Sequence, residues 1–119
     1  KNSFLKIKSK IFGLKTEDMI QTKVKINVKK LDYLIEKLKI KKLDLIKIDT
    51  EGHELEVLKG GKKFIKKFKI ILIEFRNDDV FKNYNANKIH KFILNNNFLL
   101  KKKFKFPFTT WEDRIYIRR

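Results

Sequence analysis

The residues best equipped for chemistry lie together in "DLIKIDTEGHELEVLKGG", residues 44–61. An apolar run ends in Asp49, and Glu51, His53, Glu54 and Glu56 follow within seven positions. Carboxylates serve as general bases, as ligands for a hard cation, or as partners of a positive substrate group. A neutral imidazole at His53 is also a competent base. Simpler explanations cover part of the set. Glu54 and Glu56 fall in the first turn of a predicted helix, where the backbone dipole favours negative charge, and His53 reads equally as an exposed loop histidine. Asp49, at the mouth of a hydrophobic strand, needs another account. Glu74 nearly ends the next apolar run, "KIILIEF" (69–75). In open parallel sheets ligands bind beyond the carboxyl ends of the strands, so Asp49 and Glu74 are expected on one rim.

Other motifs fail on spacing. His53-Glu54 has no second histidine at position 57, so the helical zinc-protease pattern is excluded. Gly60 stands where a calcium loop needs its bidentate glutamate. No phosphate-binding glycine loop occurs, and neither Ser3 nor Ser9 is paired with a histidine. His90, among helical residues, reads as surface or helix packing.

The elements that position these groups alternate. Val24, Ile26 and Val28 in "KVKINV" (23–28) have the two-residue period of a half-exposed strand. Leu31, Leu34, Ile35 and Leu38 form one face of a short helix. "LDLIKID" (43–49) predicts a buried parallel strand. Leu55, Leu58, Ile65 and Phe68 mark a second helical face, broken or kinked at Gly60-Gly61. "KIILIEF" is the most strand-like run, and residues 85–97 predict a third helix through Ile89, Phe92 and Ile93. "FLLKKKFKF" and "RIYIRR" close the chain as two strands, joined by a loop over Pro107 to Asp113. This order predicts an α/β sheet of parallel strands with helical crossovers and an antiparallel closing edge pair. A strand around Phe4 to Ile7 is the only element expected in the first twenty residues.

The 119 residues suit one domain. The net charge is +17, with 27 lysines against four arginines, Arg76, Arg114, Arg118 and Arg119. Lysine spread through every segment is what a biased coding composition produces, and recognition of phosphates and bases favours arginine; nucleic acid is not expected as a partner. A lysine-rich module for nucleic acid or an anionic glycan stays as the alternative reading, beside a degenerate domain without activity. No apolar run is long enough for a membrane helix. The absence of cysteine excludes disulfides and thiolate metal sites, and a cytoplasmic location is the default expectation.

The stretch "LDLIKIDTEGHELEVLKGG" followed by "IILIEF", with "KVKINVKKLDYL" ahead of it, resembles the C-terminal half of FkbM-type methyltransferases. The pattern positions are Lys47, Ile48, Asp49, Glu51, Gly52, Glu54, Leu58, Lys59, Gly60 and Glu74; the match is close over about residues 22 to 75. The resemblance implies a partial Rossmann-like sheet and S-adenosylmethionine as methyl donor. It also implies transfer to a hydroxyl oxygen of a sugar, glycan or small metabolite. Asp49 is then the first candidate for the base, with Glu51, Glu54 and His53 next, and Glu74 is a candidate for the acceptor pocket. If a divalent metal takes part, Asp49, Glu51 and Glu54 are the candidate ligands. That class holds its cofactor chiefly on a glycine-rich loop after its first strand, and "SKIFGLK" supplies only one glycine. The expectation is therefore that residues 1–119 are the C-terminal part of the domain and inactive alone, with the cofactor-binding residues unassigned.

Overall fold

The computed structural model describes residues 24–78, 80, 81 and 83–119. The expected strand around Phe4 to Ile7 lies outside them. The elements are α1 (Leu31–Lys37), β1 (Leu43–Ile48), α2 (Glu54–Gly60), a 3-10 turn (Ile65–Lys67), β2 (Phe68–Arg76), α3 (Ala86–Asn95), β3 (Phe98–Lys105) and β4 (Trp111–Arg118). The four strands form one mixed sheet in the order β1-β2-β4-β3. β1 and β2 are parallel, with Ile48 beside Ile73; β4 runs antiparallel to both β2 and β3.

Strand periodicity divides β2 between two faces. Ile71, Ile73 and Phe75 are fully buried, and with Ile35, Leu58, Ile89 and Ile93 from the helices they form the core. Burying each such side chain contributes about 1.5–3 kcal/mol. Ile70, Leu72, Glu74 and Arg76 point to the opposite face and are half-buried. Facing them across the β2/β4 ladder are Ile117, Ile115, Asp113 and Trp111.

Local chemistry ends the elements where the sequence suggests. Asn85 caps α3 by accepting from the Lys88 backbone N–H at 2.9 Å, a bond that satisfies one orphan donor of the first turn. α2 stops at the paired glycines, and a Cβ on Gly61 would lie 2.8 Å from Leu31 Cδ2, so glycine allows α1 to dock against this turn. Asp32 of α1 fastens it, accepting from the backbone N–H groups of Lys63 (3.0 Å) and Phe64 (3.1 Å).

Five expectations need correction. Residues 24–28 are not a strand; Val24, Ile26 and Val28 are all more than 70% exposed. Alternation makes a strand only when a neighbour completes the ladder, and none does so among the described residues. Among the described residues β1 is an edge strand rather than a buried one, with Ile48 its only buried residue and Leu45 exposed. In α1 only Ile35 is buried, while Leu34 and Leu38 are exposed. Ile65 and Phe68 do not continue the α2 face: the chain reverses at Gly61, and they belong to the 3-10 turn and to the start of β2. The closing loop ends earlier than expected, because β4 begins at Trp111 and takes in Asp113.

Candidate active site

Asp49 is the first residue after β1, and Glu74 sits one step beyond the last register pair of the parallel ladder. The parallel arrangement therefore delivers both carboxylates to the same end and, by the two-residue period, to the same face. Glu51 joins them from the following turn, where it adopts a positive φ of 50°. One carboxylate oxygen from each of Asp49, Glu51 and Glu74 lies within 4.8 Å of the other two.

Two cations compensate this charge. Lys47 donates to Asp49 Oδ2 at 3.1 Å. Arg76 reaches Glu51 Oε2 at 3.4 Å and pairs more fully with Asp78, Nε to Oδ1 at 3.3 Å and Nη2 to Oδ2 at 3.1 Å. Its guanidinium lies 5.3 Å from the centre of the Phe81 ring and 5.8 Å from that of Trp111. The Arg76 backbone N–H donates to Tyr84 Oη at 2.9 Å, and Thr110 donates its hydroxyl hydrogen to Asp78. One arginine thus joins the turn after β1, the loop after β2 and the start of β4. Partial burial pushes the Glu74 carboxyl above the usual range, and the nearby Asp49 and Glu51 charges add to the effect. Arg76 holds Asp78 below its usual value.

Glu54 takes a different part. It is 3% exposed, and its Oε1 accepts from the Thr50 N–H (2.9 Å), the Gly52 N–H (3.2 Å) and the Thr50 hydroxyl (3.2 Å). The carboxylate clamps the turn that carries Asp49 and Glu51. Its other oxygen is buried without a partner among the described residues. Helix-dipole compensation explains little of this placement; local backbone satisfaction explains most of it. Gly52 completes the turn with a φ of 98°. A Cβ there would lie 2.6 Å from Phe81 Cγ, so the glycine admits both the backbone conformation and the aromatic ring.

His53 is exposed at the N-terminus of α2 and makes no side-chain capping bond. With Glu51, Glu56, Phe81, Asn83 and Tyr84 it lines a groove of about 430 Å³ beside the carboxylate group. His90 lies apart, its Nδ1 2.7 Å from Tyr116 Oη, in agreement with a packing role. Burial and the positive charges of Arg114 and Lys103 keep its imidazole below the ordinary pKa.

Asp49, Glu51 and Glu74 are thus brought together, His53 is near, and Glu54 faces inward. The oxygen-only set Asp49, Glu51 and Glu74 is of the kind that suits a hard divalent cation, whereas Glu54 Oε1 is engaged by the Thr50–Gly52 turn. Arg76, Phe81 and Tyr84 have no assigned role in the sequence pattern. Arg76 carried a signal nonetheless, as one of four arginines in a lysine-dominated chain, two residues after Glu74.

A mixed α/β sheet with acids at the carboxyl end of its parallel pair is compatible with an α/β methyltransferase fold. A family model described as the methyltransferase FkbM domain matches residues 3–100, and the chain belongs to that family. No curated protein matches it. Among the described residues, no helix is long and apolar enough to cross a membrane.

Proposed function

We propose that the chain is the C-terminal part of a Rossmann-like, S-adenosylmethionine-dependent methyltransferase domain that methylates a hydroxyl oxygen on a sugar, glycan or small metabolite. The observation that carries this reading is the convergence of Asp49, Glu51 and Glu74 at one end of the β1/β2 pair, in a chain of the FkbM methyltransferase family.

S-adenosylmethionine, when bound, supplies a methyl group made electrophilic by its sulfonium. Its fit to this chain rests on charge: the anionic rim formed by Asp49 and Glu51 suits a positive sulfonium, whereas no Asp/Glu-Gly-x-Gly segment for the rest of the cofactor occurs in the sequence. Asp49 is the proposed base. During transfer the Asp49 carboxylate would take the proton of the acceptor hydroxyl, so that the oxygen is free to bond to carbon. Lys47, 3.1 Å from Oδ2, orients that carboxylate. Glu74 and Glu51 accept hydrogen bonds from neighbouring hydroxyls of the acceptor and so fix the attacking oxygen, the positional advantage that lowers a two-reactant barrier. Glu54 holds the turn, and His53 lines the acceptor side. A divalent cation, if one is used, would be held by Asp49, Glu51 and Glu74.

The test follows transfer of labelled methyl from S-adenosylmethionine by a protein that contains this chain in its natural reading frame. Asp49→Asn is expected to lower turnover at least about a hundredfold, the scale of a lost general base, with an unchanged circular dichroism spectrum. Undiminished transfer by the variant removes Asp49 from the role.

A further inference from the structure

The β3–β4 hairpin ends in an apolar tip that nothing among the described residues covers. Phe104, Phe106 and Trp111 are exposed, and Phe108 is fully exposed at the apex. The turn that presents them is closely tied. Pro107 stands second in it, where a fixed φ suits a turn. The Thr109 backbone N–H and hydroxyl lie 3.4 Å and 2.9 Å from the Phe106 carbonyl oxygen. Below the apex, the Asn77 N–H donates to the Thr110 carbonyl at 2.7 Å, and the Thr110 hydroxyl donates to Asp78. Phe108 takes the third position with a φ of 60°, a conformation that turns ordinarily give to glycine or asparagine. A bulky side chain held there is strained, and among the described residues it gains no packing in return.

Charge on the hairpin is one-sided. Lys101, Lys102, Lys103 and Lys105 are all exposed on β3, and residues 98–111 contain no acid. The acids Glu112 and Asp113 lie at the base, opposite Phe75 and Glu74 of β2, and Glu112 is buried in an ion pair with Arg114. Lysines on an outer strand discourage edge-to-edge pairing, which accounts for the lysines but not for phenylalanines at the tip. Rings and lysines together suit a bilayer surface, where aromatic side chains settle at headgroup level and lysines meet anionic lipid. Nucleic acid fits less well. Stacked bases need a charged groove lined with ring faces, whereas this tip is a protruding turn, and β3 and the tip hold no arginine.

We propose that the β3–β4 hairpin is a membrane-docking element whose Phe106 and Phe108 enter the headgroup region of an anionic bilayer. Lys105 and the three lysines behind it draw the hairpin to that surface. None of these residues belongs to the carboxylate rim, so docking and methyl transfer can fail separately.

Trp111, the only tryptophan in the sequence, makes the hairpin its own reporter. The 119-residue chain is mixed with vesicles of phosphatidylcholine, alone or with an equal share of phosphatidylglycerol, and partitioning is measured by co-sedimentation. A chain of net charge +17 is drawn to anionic vesicles by diffuse attraction alone, so the tip decides. Trp111 emission should shift to shorter wavelength on the anionic vesicles and be quenched by brominated lipid. Phe108→Asn suits the φ of 60° and should leave the urea midpoint unchanged or raise it. It should nonetheless lower partitioning about tenfold, the share of one buried phenylalanine. Lys105→Gln should lower partitioning about fivefold, the worth of one lysine near an anionic surface. Sedimentation without a Trp111 response, undiminished partitioning by Phe108→Asn, or no sedimentation would each overturn the assignment. Tighter binding to a single-stranded oligonucleotide than to the vesicles would give the tip to nucleic acid instead, and a lipid-free dimer that Phe108→Asn dissolves would give it to a second copy.

Discussion

Removing the Glu54 carboxylate should loosen the turn on which the proposed chemistry depends. Its Oε1 satisfies two backbone donors, Thr50 N–H and Gly52 N–H, and one hydroxyl. Glu54→Ala leaves these part-buried groups without their acceptor. Each hydrogen bond to a charged group is worth about 1.5–3 kcal/mol net, and an unsatisfied buried donor costs about 1–3. Water can reach part of the turn, since Thr50 is exposed and Gly52 half-buried, so the loss should be about 2–4 kcal/mol rather than the full sum. Glu54→Gln keeps an acceptor oxygen in place. It weakens the bonds by removing their charge assistance, but it also removes a buried charge whose second oxygen has no described partner. These effects oppose, and the glutamine variant should stay within about 1 kcal/mol of the parent. Urea unfolding of the three proteins at neutral pH measures the differences as midpoint shifts at constant slope. Amide exchange adds a local reading, because Thr50 and Gly52 should lose protection in the alanine variant and keep it in the glutamine one. An alanine variant within about 0.5 kcal/mol of the parent, or a glutamine variant as damaged as alanine, refutes the clamp.

Two further perturbations address the rim. Gly52→Ala places a side chain on a backbone at φ 98° and 2.6 Å from Phe81 Cγ; it should cost about 1–3 kcal/mol in the same unfolding assay and disturb the Phe81 ring signals. A result within error of the parent would show that the turn readily adopts another conformation. Glu74→Gln tests the carboxylate group through pH. Because the folded state raises the Glu74 pKa, its folded form holds the proton more tightly than the unfolded chain. Stability from this residue is thus fully present below the ordinary glutamate value and is lost as pH rises through the raised one. The glutamine variant should melt higher than the parent at neutral pH, and the gap should close below about pH 4. A constant gap across that range would mean that neither burial nor the Asp49 and Glu51 charges raise the Glu74 pKa in the fold.

The elements were readable because their signals are local. The run "KIILIEF" is central in the sheet, the paired glycines end α2, and Asn85 caps α3, each as a few neighbouring residues dictate. The weaker readings concerned surroundings. "KVKINV" alternates like a strand yet pairs with no described strand, and "LDLIKI" is apolar like a buried strand yet lies at the edge of the sheet formed by the described residues, with Leu45 exposed. Periodicity records which side chains share a face; whether another element covers that face depends on residues far away in the chain.

The same division applies to the rim. From sequence alone, Asp49 and Glu74 were expected near the ends of successive strands, and if those strands were parallel the two carboxylates had to share a rim. That followed from element order and the two-residue period. Which acid completes the group was decided only by the tertiary structure: Glu51 reaches it from a left-handed turn, while Glu54, three residues on, rotates inward to satisfy the backbone. Arg76 likewise gained its position from three segments that only the folded sheet brings together. Spacing along the chain fixes direction within one element, whereas the meeting of side chains across a turn depends on backbone angles and long-range packing.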